Sequence, residues 1–190
     1  MDKATEIYKN LVLGLVGKRA CGKDAVAQYL SKKYSFVCLD YTNDILEPIL
    51  KEKNEQVTRE NLVKLSMSLR KEYGNDILTR KICEKIEPGL WVISGVRFRE
   101  EVEYFNHKFG DKFKLISVEC DSRIRYERAI KRGIKGEAKL SYEEFLDGEN
   151  LPTEQVIPET MQLADFTINN DGSFAKLHEE IDKLMEKLRI

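Results

Sequence analysis

Short apolar runs alternate with longer stretches of helical spacing along most of the chain. The run Leu11–Val16 is long enough for a buried strand but too short for a helix. After it, Val26, Ala27 and Leu30 recur at the spacing of one helix face. Such runs predict five strands, near residues 10–16, 35–39, 90–94, 114–119 and 165–169. Their alternation with helices predicts an α/β three-layer sandwich, a five-stranded parallel sheet with helices on both faces.

The region between the second and third predicted strands, residues 41–87, is predicted to be helical in three pieces. The first piece covers residues 43–53. The second begins at Thr58, a capping residue type, and ends at Gly74 in the manner of a C-cap glycine. A third piece opens at residues 75–76.

The C-terminal part of the chain is also predicted to be mostly helical. Beyond Pro152, residues 153–164 are predicted to form one helix before the fifth strand. The last helix follows a turn at residues 170–173, and it carries one apolar stripe at helical spacing. The stripe consists of Phe174, Leu177, Ile181, Leu184 and Leu188.

A glycine-containing loop joins the first predicted strand to the first predicted helix, residues 23–34. It reads Gly17-x-x-x-x-Gly22-Lys23, a pattern whose backbone N–H groups wrap the β- and γ-phosphates of a nucleotide while the lysine reaches the same oxygens. The helix that follows directs its positive dipole end toward those phosphates. A chance match is the alternative, but strand, loop and helix stand in the required order. We therefore predict a nucleotide-binding loop made of Gly17, Lys18, Arg19, Ala20, Cys21, Gly22, Lys23, Asp24 and Ala25.

The residue after Lys23 departs from the usual form of this loop. Serine or threonine is common there, because its hydroxyl binds Mg²⁺, whereas this chain has Asp24. A carboxylate can hold the same ion directly or through a water molecule. We predict that Asp24 is a metal ligand. The alternative is a helix-start aspartate that only interacts with the helix dipole.

Polar residues stand where the second and third strands end, the edge at which ligands gather in open parallel sheets. Asp40 follows the second strand, where it can meet an acceptor or a metal, or else cap the next helix. Ser94 ends the third strand, at a place where many ATP-binding sheets carry aspartate. Arg97 lies just beyond and can clamp a phosphate with two hydrogen bonds. A surface ion pair of Arg97 with Glu100 or Glu101 is the alternative.

An arginine-rich helix follows the fourth predicted strand. Arg125, Arg128 and Arg132 share one face of it, because they are spaced by three and four residues. Such a face is often only solvated, but here a polar, glycine-punctuated segment at residues 133–150 comes next. We predict that this segment is a mobile lid that closes over the phosphates. The functional interpretation is favoured for Arg128 and Arg132 over Arg125.

Composition narrows the class of protein. A length of 190 residues suits one domain over 1–190, and a formal net charge of −1 leaves no basic field for a nucleic-acid partner. Four scattered cysteines without a Cys-x-x-Cys pair favour neither a zinc site nor a disulfide framework. No signal peptide or long apolar span is visible. We therefore expect no membrane partner, a cytoplasmic location, and a monomer or homodimer.

With these motifs placed, the chain resembles the P-loop kinases of nucleotides and related small molecules. The likeness is to dephospho-CoA kinase, the archaeal P-loop proteins similar to it, and the phage-type deoxynucleoside monophosphate kinases. The Gly-Lys-Asp ending of the loop looks like the phage type, and Leu-Arg-Lys-Glu-Tyr-Gly at 69–74 matches a helix end of the archaeal relatives. Residues 93–102 resemble a segment that both groups carry, with Ser94 in place of its acid. Residues 164–173 look like the dephospho-CoA kinase ending, near the adenine.

The resemblance implies ATP as phosphoryl donor and Mg²⁺ as its partner ion. Phosphoryl transfer through a loose transition state needs alignment and charge neutralisation more than covalent help. By this resemblance Lys23 and the loop amides hold the β- and γ-phosphates, and Arg128 with Arg132 covers the transferring group. All three are expected to act as catalytic residues.

The resemblance also implies a small nucleotide-like acceptor, namely a nucleoside or deoxynucleoside monophosphate or dephospho-CoA, which is expected to bind at the helical region over residues 41–87. Asp40 is then expected to orient the acceptor or accept its proton, as a catalytic and substrate-binding residue. Arg70 and Arg97 are expected to bind the phosphate of the acceptor. For Arg70, which lies in the last turn of its helix, the alternative is a favourable interaction with the helix C-terminus alone.

A regulatory module that binds ATP without a second substrate is the rival function. Ser94 favours it slightly, whereas the arginine face and the lid-sized polar segment argue against it. A GTPase is disfavoured because the chain lacks an Asn-Lys-x-Asp pattern to read guanine.

Overall fold

Five parallel strands form one sheet in the computed structural model, which describes residues 10–133 and 138–190. The strand order is β2-β3-β1-β4-β5, and every neighbouring pair runs parallel. The predicted five-stranded parallel sheet is therefore confirmed. The strands are β1 (Leu11–Val16), β2 (Val37–Asp40), β3 (Leu90–Val96), β4 (Phe113–Glu119) and β5 (Phe166–Asn169).

Helices connect the strands and cover both faces of the sheet. The first half of the chain contributes α1 (Lys23–Tyr34), α2 (Glu47–Glu52), α3 (Arg59–Tyr73), α4 (Ile77–Cys83) and α5 (Arg99–Phe109). A π-helical turn at Thr42–Leu46 leads into α2. The second half contributes α6 (Ser122–Arg132), α7 (Tyr142–Asp147), α8 (Pro152–Gln155), α9 (Ile157–Met161) and α10 (Phe174–Lys187). Short 3₁₀ turns lie at Gly110–Lys112 and Gly148–Asn150.

Two hydrophobic cores lie on opposite faces of the sheet, as the alternation of side chains along a strand requires. On one face, Leu13 of β1 belongs to a cluster with Leu30 of α1 and Ile181 of α10. On the other face, Val12 of β1 belongs to a cluster with Phe105 of α5 and many side chains of α2 to α4. The sandwich is therefore three-layered, with α2 to α5 on the face opposite α1 and α10.

Three predicted boundaries differ from the structure for local reasons. β2 begins at Val37, because Ser35 ends α1 in a left-handed conformation (φ 60°). β3 continues past Ser94, and Gly95 (φ +96°) lies at a register shift where Val16 of β1 pairs with Val96. The single helix predicted over 153–164 is wrong. It is split into α8 and α9 by Pro158, which has no N–H to continue the hydrogen-bond ladder.

Within the described ranges 10–133 and 138–190, no helix is long and apolar enough to cross a membrane.

Candidate active site

The phosphate-loop segment lies between β1 and α1 and is closely enclosed by its neighbours. A side chain at Gly17 would clash with the carbonyl oxygen of Val118, and one at Gly22 would clash with the amide of Asn170. Gly22 also has a φ of +102°, a conformation that side chains other than hydrogen disfavour. Packing and backbone geometry thus both require the two glycines of the motif.

The Lys23 ammonium lies over the inner side of this loop. Its Nζ donates to the carbonyl oxygens of Gly17 at 2.7 Å and of Lys18 at 3.1 Å. The Sγ atom of Cys21 lies 3.6 Å from the same Nζ. The ammonium is therefore centred on the loop, where a bound phosphate would offer it stronger, charge-assisted acceptors than the two carbonyls.

Two neighbouring elements fasten the outside of the loop. Asn170, after β5, donates to the carbonyl of Cys21 at 2.8 Å, and Arg125 of α6 donates to the carbonyl of Arg19 at 3.3 Å. Arg125 also forms an ion pair with Oε1 of Glu149, and Lys18 Nζ forms one with Oε2 at 2.6 Å. Burial raises the pKa of Glu149, but hydrogen bonds from Lys18 and Arg125 outweigh it and lower that pKa below its usual value. Arg125 is therefore a buried support of the loop.

Asp24, Asp40 and Ser94 meet beside the loop. The Ser94 hydroxyl lies 3.4 Å from Asp24 Oδ1. Asp40 Oδ1 accepts the backbone N–H groups of Thr42 at 2.8 Å and Asn43 at 2.9 Å. Burial raises the pKa of Asp40 despite these hydrogen bonds, and the charge of Asp24 adds to the rise. Two mutually repelling carboxylates and a hydroxyl are a donor set that suits a hard divalent cation.

One cleft joins the loop to the acceptor region over a volume of about 940 Å³. The phosphate loop and α6 contribute Lys23, Asp24 and Arg128 to its lining, and β2 and β3 contribute Asp40 and Ser94. The first half of α3 contributes Arg59, Leu62, Val63 and Ser66, and we call this part of the lining the acceptor half. The structure thus brings the predicted residues Lys23, Asp24, Asp40, Arg97, Arg128 and Arg132 to a single cleft.

Arg97 reaches this cleft from the segment that follows β3. Its guanidinium lies 3.3 Å from the buried carboxylate of Glu154, which belongs to α8 and lines the same cleft. A side chain at Gly95 would point into the gap between Asp40 Oδ2 at 3.7 Å and Arg97 at 3.8 Å. A ligand atom placed over Gly95 would therefore meet a carboxylate and a guanidinium together.

Arg70 is placed in the protein core and not in the cleft, which corrects the sequence-based expectation. Its guanidinium forms an ion pair with Glu101 at 2.6 Å, and the two side chains are only 2% and 0% exposed. It also donates to Ser66 and lies 4.4 Å from the ring of Phe98. Binding an acceptor phosphate would require breaking this buried pair, which is costly because it leaves an unpaired charge.

Arg128 and Arg132 of α6 both line the cleft. Arg128 reaches the loop, since a Cβ added at Gly22 would lie 3.9 Å from one of its guanidinium nitrogens. Its guanidinium lies 3.2 Å from Cys120 Sγ and 3.5 Å from the carbonyl oxygen of Gly172. It therefore covers the side of the loop that faces the turn after β5. Whether it contacts the transferring group stays a prediction.

The predicted lid over 133–150 is described only in part, since residues 134–137 lie outside the described residues. Its second half, from α7 to Asn150, is better anchored than its polar composition indicates. Phe145 is fully buried, the Arg19 guanidinium lies 4.9 Å from its ring, and Glu149 pairs with Lys18. This half is therefore held by a buried aromatic ring and an ion pair. Closure of the lid stays a prediction.

Comparison with known proteins agrees with this geometry. A family model described as an AAA domain matches residues 13–150. A UPF0200 protein of Pyrococcus abyssi is 31% identical over 184 residues, which cover 94% of this chain and 97% of that protein. The chain belongs to both the AAA-domain family and the UPF0200 family. A UPF0200/UPF0201 protein of Archaeoglobus fulgidus is also 31% identical over 93% of the chain, which spans only 55% of that relative.

Solved structures with the fold of this UPF0200 chain include small-molecule kinases. Shikimate kinase of Bacteroides thetaiotaomicron superposes with a TM-score of 0.63 at 14% identity, covering 95% of this chain and 99% of the kinase. A gluconokinase of Sinorhizobium meliloti superposes with a TM-score of 0.55 at 11% identity, over 96% and 97% of the two chains. These similarities establish a P-loop kinase-like fold. The resemblance drawn from the sequence is confirmed at that level.

Three residues that line the cleft of this UPF0200 chain were not expected there from the sequence. Arg59 opens α3, Glu154 lies in α8, and Phe174 opens α10. Phe174 was placed in the apolar stripe of the last helix, yet it is 72% exposed, while Leu177 and Ile181 are buried. The sequence signal for its place at the cleft was its position as the first residue of α10, directly after the turn at residues 170–173.

Proposed function

We propose that this protein transfers a phosphoryl group from ATP to a small nucleotide-like acceptor. The acceptor classes proposed are nucleoside monophosphates, deoxynucleoside monophosphates and dephospho-CoA. The observation that carries this proposal is the continuity of the cleft, in which the phosphate loop and the N-terminal part of α3 line one space. A donor bound at the loop and an acceptor bound against α3 would meet over Asp40.

A second substrate is supported by the lining of the half of the cleft that lies beyond Asp40. Leu46, Leu62 and Val63 form an apolar wall, and Arg59 and Arg97 supply cationic groups. A triphosphate held by the loop has no need of this half. The rival proposal, a regulatory module that binds ATP alone, leaves these side chains without a ligand.

The charge of the cleft suits two anionic ligands that share it. Among the described residues, seven cationic side chains line it against four carboxylates. The cationic residues are Arg19, Lys23, Arg59, Arg97, Arg128, Lys131 and Arg132, and the carboxylates are Asp24, Asp40, Glu47 and Glu154. A local excess of positive charge strengthens phosphate binding and stabilises the negative charge on the oxygens of the transferring phosphoryl group in the transition state.

Each proposed role follows from position. Lys23 and the loop amides hold the β- and γ-phosphates, and Arg97 binds the anionic group of the acceptor. Asp40 orients the acceptor and accepts its proton as the new bond to phosphorus forms. Because burial raises its pKa, Asp40 is a stronger base than an exposed aspartate, which favours proton transfer.

The residues present fit Mg²⁺, although the described residues contain no group of three or more His, Cys, Asp or Glu side chains arranged for a metal. Mg²⁺ is usually held by one or two carboxylates together with phosphates and waters. Asp24 and Ser94 would hold it here, with Asp40 nearby. When bound, the ion neutralises phosphate charge and polarises the phosphoryl group.

A screen with coupled detection of ADP release tests the proposal. Wild type and Lys23→Ala are compared over nucleoside monophosphates, deoxynucleoside monophosphates, dephospho-CoA and phosphomevalonate. We expect one class to release ADP in equal amount to phosphorylated acceptor, in wild type only. Tight ATP binding without phosphorylation of any acceptor would favour the regulatory module.

A further inference from the structure

A buried carboxylate joins the acceptor region to the segment that carries Arg97. Glu101, in the first turn of α5, uses both oxygens: Oε1 pairs with Arg70 of α3 at 2.6 Å, and Oε2 accepts the backbone N–H groups of Arg97 at 2.8 Å and Phe98 at 3.1 Å. Three donors from two elements therefore meet on one fully buried side chain.

The carbonyl side of Arg97 is held as well. The hydroxyl of Thr160, a buried residue of α9, donates to the Arg97 carbonyl oxygen at 2.6 Å. Both backbone polar groups of Arg97 are thus fixed by side chains from different elements. Its guanidinium, in contrast, is about one third exposed and faces the cleft beside Glu154.

We propose that Glu101 and Thr160 are positioning residues, which set the direction of Arg97 toward the acceptor. The inference rests on the proposed acceptor-binding role of Arg97. Arg70 links Glu101 to α3 through its ion pair. Arg70 lies one helical turn after Ser66, to which it also donates, and Ser66 lines the acceptor half of the cleft. These contacts thereby fix the position of α3 relative to the segment that carries Arg97.

Packing alone does not explain these contacts. A buried ion pair is costly to desolvate, and an apolar pair of similar volume often serves the core as well or better. An apolar residue at position 101, however, cannot accept the N–H groups of Arg97 and Phe98. The bulge at Gly95 makes this acceptor more important, because β3 leaves the regular sheet just before Arg97. A binding side chain needs such support to keep its productive geometry.

Two double variants separate positioning from packing. Arg70→Gln/Glu101→Gln removes both charges but keeps a side-chain oxygen for the two N–H groups. Arg70→Met/Glu101→Leu also removes both charges and leaves the N–H groups without that acceptor. Thr160→Val is a nearly isosteric third variant that removes the hydroxyl, whose bond to the Arg97 carbonyl at 2.6 Å is shorter than its contact with the Val156 carbonyl at 3.2 Å. Tyr34→Phe is its control, since it loses one side-chain hydrogen bond, between the end of α1 and Asp182 of α10, and neither residue lines the cleft.

The readouts are KM for the acceptor, KM for ATP, and amide hydrogen exchange at Arg97 and Phe98. We expect the acceptor KM to rise about tenfold in Arg70→Met/Glu101→Leu and in Thr160→Val, with the ATP KM changed less than about twofold. Arg70→Gln/Glu101→Gln and Tyr34→Phe should stay near wild type. Exchange at Arg97 and Phe98 should be faster in the apolar double variant alone.

Equal acceptor KM values and equal exchange in the two double variants would overturn the proposal. So would a rise in both KM values by the same factor, which is the sign of a general structural defect. If the apolar double variant does not fold, Thr160→Val against Tyr34→Phe decides by the same KM comparison. If wild type phosphorylates no acceptor, the proposed function fails separately, and amide exchange in the two double variants still decides the positioning role.

Discussion

The Ser94 hydroxyl lies 3.4 Å from a carboxylate oxygen of Asp24. This contact joins β3, two residues before its end, to the first turn of α1. These are the two places that usually supply the ligands of Mg²⁺ beside a phosphate loop. In this chain the first turn of α1 carries the acid, Asp24, where a hydroxyl residue is common, and β3 carries the hydroxyl residue, Ser94, where aspartate is common. Asp24 thus supplies the negative charge that Ser94 does not.

Asp24→Asn should raise the Mg²⁺ requirement sharply, because a neutral amide is a weaker ligand for a hard cation. Asp24→Ser should retain part of the activity through hydroxyl ligation. The measurement is a Mg²⁺ titration of turnover for each variant. An unchanged Mg²⁺ dependence in both would leave only the dipole interaction of a helix-start aspartate, which is worth about 0.3–1 kcal/mol.

An exchange of the two residue types gives a stricter test of the same relationship. Asp24→Ser combined with Ser94→Asp restores the more usual distribution of charge, so it should need less Mg²⁺ than Asp24→Ser alone. The two substitutions should therefore be non-additive in a double-mutant cycle on the half-saturating Mg²⁺ concentration. Additive effects would mean that the two side chains do not share an ion.

Lys23→Ala should remove most of the catalysis and leave the fold intact. The ammonium contacts the loop carbonyls and not the core, and loss of a preorganised donor costs about 3–4 kcal/mol of transition-state stabilisation, or a roughly hundred- to thousandfold lower kcat. The control is Lys32→Ala, which removes an exposed lysine from the same helix. Near-normal turnover of Lys23→Ala would mean that the loop is not the active site.

Asp40 should make stability depend on pH with a defined sign. Because burial raises the pKa of Asp40 in the folded protein, the folded state holds this proton more tightly than the unfolded state, whose carboxyl has a pKa of about 3.9. The contribution to stability is then present at acid pH and is lost as the pH rises through the folded-state pKa. Asp40→Asn keeps an oxygen for the Thr42 and Asn43 amides and carries no charge.

Asp40→Asn should therefore raise Tm relative to wild type at pH 7, and the gain should shrink toward pH 4. The same variant should lose turnover, because its side chain cannot accept a proton. The measurement is a series of thermal unfolding curves for both proteins over this pH range. A Tm difference that stays constant with pH would contradict the proposed cost of the buried charge.

Phe174 should bind the nucleotide base, because it is a widely exposed aromatic side chain on the part of the cleft near the turn after β5. Phe174→Ala should weaken MgADP binding by an amount typical of aromatic stacking, about 1–3 kcal/mol. Binding of tripolyphosphate, which has no base, should not change. Calorimetry with both ligands checks this. Tyr73→Ala, another exposed aromatic at the end of α3, is the control.

Equal losses for MgADP and tripolyphosphate in Phe174→Ala would point to damage of the phosphate loop instead. Unchanged MgADP affinity would place the base elsewhere and leave this exposed ring without a role in donor binding.

The local sequence determined the phosphate loop and the order of the elements. The spacing of Gly17, Gly22 and Lys23, between an apolar run and a helical stripe, depends on neighbours in the chain, and the structure places all three as expected. The five strands were also predictable, because each contains a short apolar run, although the edge strands β2 and β5 each bury only one of their four residues. These are properties that a window of ten to twenty residues contains.

The tertiary structure alone decided which polar residues reach the cleft. Arg70, near the end of a helix, and Arg97, just past a strand, were both expected to bind the acceptor phosphate. Glu101, however, pairs with Arg70 in the core and accepts the backbone N–H of Arg97, whose side chain lines the cleft. Phe174 is exposed although it belongs to the predicted apolar stripe, because the start of α10 extends past the core. Such outcomes depend on pairings between residues far apart in the chain, which periodicity does not encode, because hydrogen bonds and ion pairs form only after packing has brought their partners together.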